Sequence, residues 1–261
     1  MDWSKTKTIF IAVFLVLDLF LAVMFFNKYS ATRFEVIKET SIEEKLQSDR
    51  IEYEKMPVDA EELSIITAKP KIFSEKEFFF LTKQRMTINN GTEVVSELDK
   101  PYDTDKATRE KIVSFVKNNV LQGDRYSYWK RNRDEKTVIF YQQFDDKKLF
   151  KNRSGYLTVQ LDDADNIIGY TQTMLSDIDE NREEEAILPA FQAIDALYKN
   201  GLIQPDSEIA NAELGYYTVV QLTEAQVLSP TWYFQLKKDD KTEEIYVNAF
   251  DGSIYQTEKE S

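Results

Sequence analysis

The chain has 261 residues, 42% apolar and 13% aromatic, with 7 Gly and 6 Pro, so it can bury a core and is neither disordered nor low in complexity. Its 33 basic and 46 acidic side chains give a net charge of −13, which opposes nucleic acid and argues against lying flat on anionic lipid. The absence of Cys and His excludes thiol nucleophiles, Ser-His-Asp triads, zinc-finger sites and His acid–base chemistry, leaving carboxylate, Lys and Tyr chemistry open.

Ile9 to Phe26 reads IFIAVFLVLDLFLAVMFF, with Asp18 as its single polar residue. At the helical rise it spans about 27 Å, close to the thickness of a bilayer core. The run is longer than a signal-peptide core and ends at Phe25-Phe26-Asn27-Lys28-Tyr29 without a small-residue cleavage site, so it reads as an uncleaved transmembrane anchor. The preceding tail holds Lys5 and Lys7, while residues 29–261 carry −14. Long domains cross largely regardless of charge, which predicts residues 1–8 in the cytoplasm and the remainder at the outer face of the cell membrane. Asp18 supports two readings. It is either a tolerated, protonated side chain bonded to its own backbone, or a contact with another transmembrane helix on the face that Phe14, Asp18, Leu21 and Phe25 share by helical spacing.

Residues 27–50 read as a helical stalk leaving the membrane. Short strands are predicted around Leu63–Thr67, Phe78–Leu81, Met86–Ile88 and Glu93–Val95, the last two joined by the hairpin signal Asn89-Asn90-Gly91. A helix is predicted over Thr104–Val120 with Thr104 as cap, then strands over Arg125–Lys130, Thr137–Phe144, Gly155–Leu161 and Ile167–Leu175. A second helix is predicted over Glu184–Lys199, with Glu183, Glu184 and Glu185 at the positive end of its dipole. Strands follow over Ile209–Val219, Thr231–Lys237 and Glu244–Asn248, with a turn at Asp251-Gly252 before Ile254-Tyr255.

Helix and aromatic strands therefore occur twice. Phe140-Tyr141-Gln142-Gln143 parallels Tyr233-Phe234-Gln235-Leu236. The expected fold is α+β: a transmembrane helix followed by two small modules, 51–180 and 181–261, each an antiparallel sheet with a packed helix.

Asp162, Asp163 and Asp165 suggest a calcium loop, but the EF-hand spacing fails and a solvated turn is expected. Tyr126, Tyr128, Trp129, Lys130, Arg131 and Arg133 mix rings with cations, yet in an acidic chain they read as a strand end and its turn. Carboxylate pairs such as Asp179-Glu180 are abundant, but no spacing places two of them on a substrate. No catalytic, cofactor or metal site is expected. A glycan-binding domain facing the cell wall, or a carboxylate-dependent hydrolase, is the rival to a regulatory protein.

The opening Met1-Asp2-Trp3-Ser4-Lys5-Thr6-Lys7-Thr8-Ile9-Phe10-Ile11, the run Phe14-Leu15-Val16-Leu17-Asp18-Leu19-Phe20-Leu21, and Asp251-Gly252-Ser253-Ile254-Tyr255 resemble the YycI family. These are membrane-anchored regulators of Gram-positive bacteria of low G+C content. The resemblance implies a fold similar to the last two modules of the companion protein YycH, with a PepSY-type C-terminal module. It also implies association with YycH and the essential sensor histidine kinase YycG (WalK), which governs cell-wall metabolism, through contacts that involve the transmembrane helices. Members usually restrain the kinase, and the sign differs between lineages. The family brings no catalytic motif.

Overall fold

The computed structural model describes residues 7, 11, 13–24, 41–54, 56, 61–180, 183–221, 225–239 and 241–255. The chain divides into two compact units, Met1–Lys45 and Leu46–Ser261.

In the first unit, residues 13–24 are helical (α1), and the large apolar side chains described there are about half exposed or more. Among the described residues no helix is long and apolar enough to cross a membrane. Of the predicted span 9–26, residues 9, 10, 12, 25 and 26 lie outside the described residues, as do residues 27–40 of the predicted stalk. The next helix is α2 (Ile42–Ser48).

The second unit begins with β1 (Glu52–Tyr53), β2 (Glu62–Leu63), β3 (Ile66–Pro70), β4 (Gln84–Asn89) and β5 (Glu93–Tyr102). Next come α3 (Arg109–Asn119), β6 (Tyr126–Asn132), β7 (Thr137–Phe144), β8 (Lys147–Phe150), β9 (Tyr156–Leu161), β10 (Ile167–Thr173), β11 (Leu175–Glu180) and β12 (Glu185–Ala186). The chain continues through α4 (Ala190–Lys199), β13 (Glu208–Gln221), β14 (Gln226–Lys238), β15 (Lys241–Asn248) and β16 (Ile254–Tyr255).

The main sheet follows the order β11-β3-β14-β13-β8-β7-β9-β10-β5-β4. β6 is added beside β7, β15 beside β14, β16 beside β15 and β1 beside β13. Nearly all pairs are antiparallel; β13 runs parallel to β1 and to β8. The fold is α+β with a mostly antiparallel sheet.

Side-chain alternation explains how β7 serves two cores. Val138 and Phe140 join α3 residues Ile112, Phe115 and Val116 in one core, together with Val94, Leu157, Val159 and Tyr170. Tyr141, one residue on, lies in an aromatic cluster with Phe150, Tyr233 and Tyr246. β8 follows a two-residue turn in which Asp145 and Asp146 have φ of 46° and 58°. It meets β13 through Gly215↔Lys148, Tyr216↔Leu149 and Tyr217↔Phe150. Gly215 permits that seam, because a Cβ there would lie 2.5 Å from the Lys148 carbonyl oxygen and 2.8 Å from Phe150 Cζ.

The predicted hairpin forms, with Asn90 and Gly91 both at positive φ. Several expected boundaries are corrected. The first helix starts at Arg109 rather than Thr104, because Asp105, Lys106 and Ala107 turn left-handed. Thr104 caps that turn instead, its Oγ1 accepting the Ala107 N–H at 2.7 Å. The second starts at Ala190, after Pro189, so the 183–185 acidic run is not on the helix dipole; Glu185 and Ala186 pair with β2. Phe78–Leu81 is not a strand. Ser74 and Glu77 form a capping box that winds Glu75–Phe78 into a 3-10 turn.

β8 has no counterpart among the expected strands, and β14 begins earlier than Thr231 because Pro230 is accommodated inside it. One side of β14 pairs with β13 throughout, while the other pairs with β3 at 226–228 and β15 from 231. Pro230, lacking an N–H, sits where that second side changes partner.

Candidate interaction site

Phe14, Asp18 and Leu21 fall at i, i+4 and i+7 on α1, so they share one helical face. All three are exposed, Phe14 at 57% and Leu21 at 52%. Phe25, the fourth residue of the predicted face, lies outside the described residues. A carboxylate amid exposed apolar side chains offers one hydrogen-bonding group and otherwise dispersion contacts, the two means by which helices associate in lipid.

In the second unit the ring and charge constellation is divided: Tyr126 and Tyr128 join the α3 core, while Trp129 and Lys130 sit at the seam of the sheet. Trp129 is the bulged residue of β6, which aims its ring at Tyr141 (5.1 Å), Phe150 (5.8 Å) and Tyr233 (4.7 Å). Glu244 is buried at the same place. Lys130 Nζ is 3.8 Å and Lys151 Nζ 4.0 Å from its carboxylate, and the Tyr233 hydroxyl donates to it at 3.5 Å. Burial, then the Glu244 charge, pushes the Tyr233 phenol up; burial, then Tyr141 and Glu244, does the same for Tyr246. These phenols stay neutral and are poor nucleophiles. The Tyr246 hydroxyl is buried without a hydrogen-bond partner.

Sequence reading placed Trp129 and Lys130 at a strand end but not in this cluster. The signal lay in the Phe140-Tyr141 and Tyr233-Phe234 pairs, whose alternation puts one ring on each side of the sheet. Beside the cluster a cavity of about 390 Å³ is lined by Tyr141, Lys151, Asn152, Arg153, Tyr156 and Thr173 among others.

Carboxylates also line a concavity elsewhere on the second unit. A concavity of about 580 Å³ is lined by Asp124, Asp145, Asp146 and Asp177 with Arg125, and all four carboxylate residues are exposed. Asp145, Asp146 and Asp177 serve the backbone there, each at positive φ. The Asp162–Asn166 segment is a closed turn: Asp162 accepts the backbone N–H groups of Ala164 (2.9 Å) and Asn166 (2.8 Å). The Asn166 backbone bond, foremost, holds the Asp162 carboxyl below its usual range. Asp163 pairs with Lys136 and Asp165 with Arg131. Among the described residues no three His, Cys, Asp or Glu side chains are grouped to hold a metal ion.

The geometry is that of an α+β protein with a mostly antiparallel sheet and a cluster of buried rings. Residues 32–250 match the YycI family, described as YycI protein, and the chain belongs to that family. The family is one of regulatory accessory proteins of the YycG/WalK two-component system rather than of enzymes. No curated protein matches the chain. Among solved structures it is similar to an uncharacterized protein from Eubacterium rectale ATCC 33656, at 12% identity over 80% of this chain and 90% of that one, with a TM-score of 0.48. It is also similar to the C-terminal domain of Bacillus megaterium YpeB, at 12% identity over 72% of this chain and 98% of that one, with a TM-score of 0.42.

Proposed function

We propose that this protein is a membrane-anchored accessory regulator that restrains the YycG/WalK sensor histidine kinase and so tunes cell-wall metabolism. In this reading residues 1–8 are cytoplasmic, 9–26 cross the membrane, 27–50 form a stalk, and 51–180 and 181–261 are two extracytoplasmic modules with PepSY-type character. The partners are the kinase and a YycH-type protein, met through the Phe14, Asp18, Leu21 and Phe25 face and through the outer unit. Lipid contacts the anchor.

The observation that carries the proposal is the family match over residues 32–250. The exposed apolar face of α1, with Asp18 on it, supports the part given to the anchor. Lipid gives no hydrophobic drive between helices, so a regulatory contact there depends on a particular face.

The test replaces residues 9–26 with an unrelated spanning sequence and measures a kinase-dependent promoter at equal protein abundance in the membrane. Regulation is expected to weaken while topology is kept. Asp18→Leu is expected to cause a smaller loss of the same kind, since one polar contact between membrane helices is worth about 0.6 kcal/mol and seldom above about 1.7. Full regulation by the swapped anchor would reduce the helix to a tether.

A further inference from the structure

A tight turn closes where the Leu81 N–H donates to the Phe78 carbonyl at 2.9 Å, and its two central residues are Phe79 and Phe80. They are 81% and 65% exposed. Central turn positions ordinarily carry Gly, Pro, Asn, Asp or Ser. The core is already reached by the flanking residues, Phe78 and Leu81, both buried. A third exposed apolar residue, Ile72, precedes Phe73, whose ring packs 6.0 Å from that of Phe78. Its Cγ2 lies 3.7 Å from the position a Cβ would take at Gly91, in the tip of the β4–β5 hairpin. The fold thus holds most of Ile72, Phe79 and Phe80 out in water and gains little burial from them.

The segment that carries this tip is basic within an acidic chain. Residues 69–85 hold five basic and two acidic side chains, +3 within a chain of −13. Lys71 pairs with Glu77 (2.7 Å) and Arg85 with Glu97 of β5 (3.7 Å), so the exposed Lys69, Lys76 and Lys83 make the cationic rim. Apolar side chains projecting from a cationic rim are complementary to an anionic bilayer, where the rings enter the headgroup boundary and the ammonium groups meet phosphate. A stable protein interface needs roughly 800 Å² per partner, more than three side chains at a turn tip present.

We propose that the 71–83 loop is a membrane-contact element: Ile72, Phe79 and Phe80 seat in the surface of an anionic bilayer. This rests on the reading of residues 9–26 as an anchor. Covalent attachment to the anchor makes the loop–lipid encounter intramolecular, so a patch too small to recruit a free protein suffices. The acidic remainder of the unit keeps the contact local.

The absence of Cys makes the test direct. Single nitroxide labels are placed at Phe79→Cys, Phe80→Cys, Phe14→Cys and Asp134→Cys in the full chain, in vesicles of phosphatidylglycerol and phosphatidylethanolamine. Collision with oxygen is compared with collision with a water-soluble nickel chelate. At positions 79 and 80 the oxygen preference is expected to stand severalfold above that at the exposed Asp134 turn. It should fall back toward the Asp134 value when Lys76→Glu and Lys83→Glu are added. Equal ratios at 79, 80 and 134 overturn the proposal. So does immobilisation of the 79 or 80 label on adding a YycH-type protein or the kinase without any gain in oxygen preference, since a protein then covers the patch. The label at position 14 separates the two readings. Oxygen preference there without any at 79 or 80 rejects the loop alone, whereas its loss at 14 rejects the anchor.

Discussion

Gln142 shows how one side chain can stand in for a strand. It is fully buried, its Nε2 donating to the Leu175 carbonyl at 2.9 Å and its Oε1 accepting the Leu175 N–H at 2.7 Å. The backbone of Leu175, just after β10 ends, is thereby satisfied where the chain leaves one part of the sheet for another. Gln142→Leu keeps the volume roughly but orphans both groups. Each buried orphan costs about 1–3 kcal/mol, so the urea midpoint is expected to drop by more than a Leu-for-Gln surface exchange would produce. Tyr246 is the converse. Its ring packs against Phe150, Tyr217 and Tyr233, but its hydroxyl is unpartnered. Tyr246→Phe is expected to raise stability by about 1 kcal/mol in the same assay, since it removes a desolvated group that gains nothing in return.

Among the elements, the strands that cross between the two halves of the sheet govern how separable those halves are. β3 comes from the upstream segment, yet it pairs with β14 as well as with β11. β8 likewise meets β13. Buried amides lie across the same seam: Asn152 Nδ2 donates to Thr218 Oγ1 and Gln226 Oε1, both at 2.6 Å. The proposed modules 51–180 and 181–261 would therefore be bound by hydrogen-bonded ladders as well as by contact. A protease site inserted between Glu180 and Glu183 is expected to yield two fragments that co-elute in native gel filtration and part only in denaturant. Fragments that separate without denaturant would show that β3 and β8 add little to the joint.

Taken as a whole, the molecule keeps a set of phenols out of water. Burial pushes Tyr216 up to about 12 and carries Tyr126, Tyr170, Tyr233 and Tyr246 above the usual phenol range. The folded state thus retains protons that the unfolded chain releases near pH 10. Stability is full below that pH and falls as pH rises, by up to about 1.4 kcal/mol per pH unit for each such phenol. The Tyr216 share is spent by about pH 12, and the others continue beyond it. A urea midpoint that is level near pH 8 and declines above about pH 10, in step with tyrosinate absorbance, is the expected result. A midpoint insensitive to alkali would mean that these hydroxyls reach water.

The family relationship and the α+β class were legible in local sequence. Asn90-Gly91 fixes its hairpin because positive φ is a property of those two residues, and strand periodicity at Thr137–Phe144 and Tyr156–Leu161 needs no distant partner. Tertiary structure decided what depends on neighbours far along the chain. Pro230 lies inside a strand because two different strands share the side of β14 it faces. Trp129 enters the aromatic cluster because a bulge turns it there. Phe78–Leu81, an apolar run that reads as a strand, is a turn because the Ser74 capping box and the Phe73–Phe78 ring pair commit only one of its three phenylalanines to the core. Composition says that a phenylalanine prefers burial; only the packing of distant segments says which one is granted it.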